Sequence, residues 1–431
     1  MIRTAVLLNW TLSGQPGARL AGLSLAARAV LSAQQAGMER IFILGGEDPA
    51  GWLPARGQAR VEWLPGEDGT EVAALRQLAG RLEEPFLIFF ADSVVEPRAL
   101  AFLRRTELNG RLWVRVQPAS REEGAAASVY VASPALLGRL ESFAERLATV
   151  ETLWNHWETG EKDSVWPAEG LTWERTTDRA RLARIERELG LSQLKPTDGV
   201  FARFNKTVVG WPLIRLFVRT PATPNFISGL GLVLGLLAGG VFAYGGYWWA
   251  LMGSLFMYAS AIMDHVDGMV ARLKFQQSDF GTWFETTVDY TSYFAVYLGM
   301  AVGLYRENQH AYYLLLGGLF AFGAVLSYIV QNRQRKSISG DRPADYARRW
   351  HAQTEAHGGE DFFHYFARKT YFLIRRAVAP YFIILFCLLD IRGYLLAISA
   401  LTANLVWSLT LYNNRLFQHS PALKSRSESV Q

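Results

Sequence analysis

DHVDGMVARLKFQQSDFGTWFETTVD, running from Asp264 to Asp289, is the stretch on which the reading of this chain turns. Asp264 and Asp267 stand three apart, so on a helix they share one face. Glu285 and Asp289 stand four apart and share a face in the same way, with Gly281 one turn before them. The spacing predicts two helices that present four carboxylates as facing pairs. Carboxylates in or near lipid are costly, which makes these functional candidates by default. Four together repel unless a cation or a proton compensates them. Hard divalent ions favour such oxygen ligands, so Mg2+ or Mn2+ working with a substrate phosphate is the expected cofactor. Helix caps and surface ion pairs are the bland alternative for any one of these acids taken alone.

Outward from this stretch the chain is apolar. Six spans are predicted, at about 226–244, 248–265, 283–304, 310–330, 373–390 and 393–413, each near the length needed to cross a bilayer. The expected fold class for this part is an α-helical six-span transmembrane domain. The linker 331–372 carries Arg333, Arg335, Lys336, Arg342, Arg348, Arg349, Arg368 and Lys369. The bias of basic residues toward the cytoplasm places that linker inside. Six crossings then leave both termini of an integral, multi-pass protein on that side. Before the first span, Trp211, Leu213, Ile214 and Phe217 interleave with Arg203, Lys206, Arg215 and Arg219. An amphipathic helix on a lipid surface has this pattern; a soluble linker helix is the alternative.

The 431 residues are too many for one ordinary core, and half of them are hydrophobic while only 19% are charged. A soluble part joined to a lipid part fits those figures. Residues 1–190 read as an α/β domain with a mostly parallel sheet. TAVLLNW from Thr4, RIFILGG from Arg40 and PFLIFFADS ending near Asp92 have strand length, and LSLAARAVLSAQQAG between the first two has helical spacing. MIRTAVLLNW lacks the charge, length and cleavage site of a signal peptide, so this domain is expected in the cytoplasm. Cys387 is the one cysteine, which excludes a disulfide framework. The net charge of +5 sits beside apolar segments, where lipid or phosphate explains it better than nucleic acid does. The expected organisation is 1–190, a junction at 195–222, the membrane domain at 223–415 and a cytoplasmic tail at 416–431.

The Asp264–Asp289 stretch resembles the signature of the CDP-alcohol phosphatidyltransferase family, in which D-x2-D-G-x2-A-R is followed by a glycine and two further acids. Asp264, Asp267, Gly268, Ala271, Arg272, Gly281 and Asp289 occupy matching positions. The resemblance implies a metal-dependent enzyme that moves a phosphate-linked group from a CDP-alcohol to an acceptor alcohol and releases CMP. It makes Asp264 and Asp267 metal ligands, joined by Glu285 and Asp289, with Asp289 as general base. Gly268, Ala271, Arg272 and Gly281 fall to the CDP moiety. Asn225, in the TPN before the first span, resembles the family's entry to that span. Glu285 stands where the family has aspartate, one methylene shorter. Arg333, Arg335 and Lys336 are candidates for a phosphorylated acceptor, or ordinary anchors at the membrane edge. The donor is CDP-inositol or CDP-diacylglycerol, with membrane lipids and a second copy of the chain as expected partners. A silent membrane scaffold and a transporter are the competing classes.

The whole arrangement resembles bifunctional proteins that join an inositol-1-phosphate cytidylyltransferase to a di-myo-inositol-phosphate-phosphate synthase. In that comparison Gly14, Gly17 and Arg19 stand in the phosphate loop of the first domain, and the lysine expected nearby falls on or near Ala21. Asp92 matches one acidic metal position. The second falls in WERTTDRA, where Thr176 replaces the ligand and Glu174 or Asp178 would have to compensate. A degenerate nucleotidyltransferase-like domain is therefore expected.

Overall fold

TAVLL, Thr4–Leu8, is apolar at every position because both of its faces are covered. Ala5 and Leu7 pack into one core and Val6 and Leu8 into another, as the two-residue period of a strand requires. This strand, β1, is central in a seven-stranded sheet of order β10-β8-β9-β6-β1-β4-β5. The strands of the chain are β1, β2 (Arg19–Leu20), β3 (Leu23–Ser24), β4 (Arg40–Leu44), β5 (Arg60–Leu64), β6 (Phe86–Phe90), β7 (Ser93–Val95), β8 (Trp113–Pro118), β9 (Val129–Ala132), β10 (Ser164–Trp166) and β11 (Trp173–Arg175). Helices α1 (Leu25–Gln35), α2 (Glu71–Arg76), α3 (Pro97–Leu103), α4 (Pro134–Arg139), α5 (Val150–His156) and α6 (Arg179–Ser192) complete this part.

The sheet is mixed. β1 runs parallel to β4 and β6, β4 to β5, and β10 to β8, but β9 runs antiparallel to both β6 and β8. Four of the six pairings in this sheet are parallel, and β9 enters the ladder between β6 and β8 and reverses the direction locally.

This computed structural model describes residues 1–9, 18–46, 59–65, 70–108, 110–118, 129–140, 148–156, 164–166, 173–176, 178–194, 198–339 and 378–418. The chain divides into two units. The first is Met1–Lys195 with Val218–Pro221 and Arg272–Phe275; the second is Pro196–Phe217, Ala222–Ala271 and Gln276–Gln431.

In the first unit Glu71 opens α2 and is buried. Its Oε2 accepts the Val150 amide at 2.8 Å. Burial raises the Glu71 pKa, opposed by that amide and by Arg175. A raised folded-state value means that its stabilising contribution is full below 4.5 and is lost as pH rises through the raised value. Glu71→Gln keeps an oxygen for Val150 and removes the ionisation. The first unit of this variant should therefore lose less stability than the parent as pH rises from 4.5 through the raised value, which thermal unfolding checks.

The second unit is helical. α7 (Val200–Phe204) leads through a π turn at Asn205–Val209 into α8 (Trp211–Arg219). Then follow α9 (Pro224–Tyr244), α10 (Tyr247–Leu273), α11 (Asp279–Asn308), α12 (Tyr312–Ser339), α13 (Ala379–Leu388) and α14 (Arg392–Gln418). Among the described residues two helices are long and apolar enough to cross a membrane, Pro224–Tyr244 with 21 residues and Tyr312–Val330 with 19. These two support a membrane-associated arrangement, and the expected six spans are corrected by them. The run at 248–265 lies in α10, which is diluted by Tyr247, Trp248, Trp249, Tyr258 and its aspartates. The run at 283–304 shares α11 with Glu285 and Asp289. α13 has only 10 residues, and 373–377 lies outside the described residues. The run at 393–413 in α14 contains Thr402, Asn404 and Ser408.

α9 and α11 approach closely because small residues meet between them. A Cβ on Gly299 would fall 2.0 Å from the Gly239 carbonyl oxygen, so neither backbone has room for a side chain there.

Candidate functional site

The carboxylates come from the C-terminal part of α10 and the N-terminal part of α11, as their spacing predicts. Ser278 caps α11, its Oγ accepting the Gly281 amide at 3.0 Å. A Cβ on Gly281 would lie 3.1 Å from that oxygen and 3.4 Å from Asn225 Oδ1. Gly281 therefore lets the start of α11 approach the start of α9, where Thr223 is the cap and Pro224 the first helical residue.

Asp267 is 3% exposed. Its Oδ2 accepts a short hydrogen bond from Ser228 Oγ, which also lies 3.1 Å from the Pro224 carbonyl oxygen. The Gly268 amide faces the carboxylate, yet Oδ1 has no partner in hydrogen-bond geometry among the described residues. Glu285 and Asp289 lie within electrostatic reach of Asp267. Asp264 is half-buried, with its Oδ2 3.7 Å from His265 Nδ1. No group of three or more His, Cys, Asp or Glu side chains among the described residues is close enough to hold a metal ion. The acids thus share a region without converging on a point. One buried carboxylate oxygen without a donor, beside two more carboxylates, is nonetheless the arrangement a hard cation fits.

Gly268 and Ala271 follow on α10, and Arg272 lies in its last turn. Arg333 is exposed on α12; the side chains of Arg335 and Lys336 lie outside the described residues. Gly14 and Gly17 also lie outside them, and Arg19 is an exposed residue of β2. Asp92 follows β6 and is buried.

Two features escaped the sequence. Ser228 stands one turn beyond Pro224 and its partner is 39 positions away; only its place on the face of α9 below Asn225 could have marked it. Lys206 was expected at a lipid surface. It is buried instead, paired with Asp198 at 2.8 Å, and the pair lies within electrostatic reach of His265. The preceding Asn205, fully buried, accepts from the hydroxyls of Tyr258 at 3.2 Å and of Tyr381.

Residues 221–405 match the family model described as CDP-alcohol phosphatidyltransferase, so the chain carries a C-terminal CDP-alcohol phosphatidyltransferase domain. A protein of Rubrobacter xylanophilus named "Bifunctional IPC transferase and DIPP synthase" is 27% identical over 328 residues, 67% of this chain and 73% of that protein. Among solved structures, the inositol-1-phosphate CTP transferase from T. maritima aligns at 16% identity with a TM-score of 0.36, over 46% of this chain and 98% of the other. A UDP-glucose pyrophosphorylase complexed with UDP-glucose aligns at 11% identity with a TM-score of 0.34, over 43% and 97%.

Proposed function

We propose that the second unit transfers a substituted phosphate from a CDP-alcohol to the hydroxyl of an acceptor and releases CMP. The observation that carries this is Asp267, with one oxygen held by Ser228, the other without a partner, and Glu285 and Asp289 alongside. The acceptor oxygen attacks the phosphorus that bears the transferred alcohol. A new phosphorus–oxygen bond forms, and the bond from that phosphorus to the bridging oxygen breaks. CMP leaves with the electron pair, and Asp289 takes the proton of the acceptor. Asp264, Asp267, Glu285 and Asp289 would hold a divalent ion, which would supply positive charge to the diphosphate. By the family resemblance Gly268, Ala271 and Gly281 belong to the cytidine end, and Arg272 offers a fork that suits phosphate oxygens. Arg333, Arg335 and Lys336 are the candidates for an acceptor phosphate. The basic residues after α12 favour a cytoplasmic C-terminal end for that helix.

Ser228 positions Asp267 rather than touching substrate. Losing a hydrogen bond to a charged group costs about 1.5–3 kcal/mol, so Ser228→Ala should slow CMP release by about tenfold or more. The Mg2+ concentration giving half-maximal rate should rise with it; a slower rate at unchanged metal dependence would remove Ser228 from this role.

The deciding experiment measures CMP release by the purified full chain with Mg2+ or Mn2+. CDP-inositol and CDP-diacylglycerol serve as separate donors, each against inositol phosphate, glycerol phosphate and inositol. Release that depends on one donor–acceptor pair and is lost in Asp267→Asn is the expected result. Release that persists in Asp267→Asn, or silence with every pair from a folded protein, would overturn the reading.

A further inference from the structure

Asp92 lies just beyond the carboxyl end of β6, beside the end of β1, where the Ala91 amide donates to the Leu8 carbonyl at 2.9 Å. Crevices at the carboxyl ends of such strands are where open α/β sheets bind ligands. The resemblance of the first domain places a divalent cation on this carboxylate, and the residues around it do not fit one. Arg175 Nε donates to Asp92 Oδ1 at 2.7 Å, with both side chains largely withdrawn from water. The guanidinium carbon stands 3.6 Å from the centroid of the Phe90 ring, in cation–π geometry. Its backbone is fixed by the antiparallel pairing of β11 with β7, in which Arg175 stands opposite Ser93. Buried Glu71 lies within electrostatic reach of both partners. One fixed positive charge thus already serves this acidic corner.

The residues that would have to supply a second ligand are engaged elsewhere. Glu174 Oε2 accepts from Arg181 Nε at 2.8 Å. Asp178 caps α6, accepting the amides of Ala180 at 3.3 Å and Arg181 at 3.2 Å. Thr176 Oγ1 accepts the Asp178 amide at 3.2 Å. An incoming metal would find Asp92 with Glu71 in electrostatic reach, and to use them it would have to expel a guanidinium from a largely buried, ring-stacked position. A buried arginine deprived of its partner is strongly unfavourable.

We propose that Arg175 occupies the place of a divalent cation on Asp92, and that the CDP-alcohol is consequently supplied by a separate cytidylyl-transfer reaction. In that reaction an oxygen of an alcohol phosphate bonds to the α-phosphorus of CTP and pyrophosphate departs. The corner at Asp92 is then held together by the first unit's own arginine in place of a cation.

The test uses the full chain carrying Asp264→Asn and Asp267→Asn, so that the carboxylates of the second unit do not mask the first. Mn2+ binding is followed by the electron paramagnetic resonance signal of the free ion. Adding Asp92→Asn should leave the isotherm of this parent unchanged. Adding Arg175→Gln should create a step of about one Mn2+ per chain, lost again when Asp92→Asn is included. In parallel, pyrophosphate release from CTP and inositol phosphate should be no greater from the chain with native Asp92 than from Asp92→Asn. An Mn2+ step in the parent that Asp92→Asn abolishes would overturn the proposal, as would Asp92-dependent pyrophosphate release. A folded Arg175→Gln chain that gains no Mn2+ step would overturn it too, because the guanidinium would not be what keeps the ion away. The parent comparison decides even where the Arg175 variant fails to fold.

Discussion

Asp289→Asn is expected to slow CMP release by about 10²–10⁴-fold, the usual contribution of a positioned general base, while leaving donor binding largely intact. Asparagine preserves the shape of the side chain on α11 but cannot accept the proton of the acceptor hydroxyl. The loss should therefore fall on kcat, and the acidic limb of the pH–rate profile should disappear with it. These readouts separate a base from a residue that only holds charge. Were Asp289 chiefly a metal ligand, more Mg2+ would restore much of the rate. Were it structural, the melting temperature would fall and the residual rate would keep the parent's pH profile. A product rate equal to the parent's would remove Asp289 from the mechanism altogether. Glu285 provides the internal comparison. It is the longer acid on the same face of α11, and both lie within electrostatic reach of Asp267. Glu285→Asp should change the metal dependence without touching the acidic limb.

What could be read in advance followed from local periodicity. TAVLL, RIFIL and FLIFF announce themselves as buried strands because an apolar run of that length needs cover on both faces. The pairs Asp264–Asp267 and Glu285–Asp289 were legible because helical spacing alone brings them to one face. Direction and partnership were not legible. β9 runs against both of its neighbours, and nothing in VYVA distinguishes a parallel from an antiparallel strand. Lys206 reads as a lipid-facing cation until Asp198, eight positions earlier, is seen to neutralise it. Arg175 reads as a surface charge until the β7–β11 ladder brings it to Asp92. The six expected spans failed for a related reason. Helices that pack on one another tolerate tyrosines, asparagines and carboxylates inside apolar runs, so a hydrophobic run can mark a packed helix as readily as a crossing. Asn404 is such a case, its Nδ2 donating to the Leu319 carbonyl of α12 at 2.9 Å.

The largest stability effect is expected at Arg392, the first residue of α14 and 6% exposed. Its Nη1 and Nη2 donate to the two carboxylate oxygens of Glu307 at 2.8 and 2.9 Å, and Nη2 also donates to Asp390 Oδ1 at 2.7 Å. Glu307 Oε1 in turn accepts the Gly246 amide, and Arg392 Nη1 lies 3.3 Å from the Gly246 carbonyl oxygen. One guanidinium thereby fastens the turn between α9 and α10, the end of α11 and the turn between α13 and α14. The turns themselves are demanding. Gly245 and Gly246 have φ of 84° and 90°, and Asp390 has 54°, so each is held in a left-handed conformation that its surroundings must maintain. Arg392→Met keeps much of the apolar stem but leaves Glu307 and Asp390 side by side without a cation. Breaking a buried pair from one side costs about 3–5 kcal/mol; Glu307 keeps some contact with water, so a loss near the lower end is expected. Thermal unfolding in detergent measures it. Arg392→Lys should recover only part, because a point charge cannot make the two parallel bonds of the fork. In the Glu307→Gln background the effect of Arg392→Met should shrink, since the two residues are coupled. Catalysis distinguishes this clamp from the site. Glu307 and Glu285 stand on the same helix, roughly 33 Å apart at 1.5 Å per residue. Folded Arg392→Met should therefore release CMP at the parent's rate below its melting transition. A fall in that rate without a fall in stability would show that the clamp belongs to the chemistry after all.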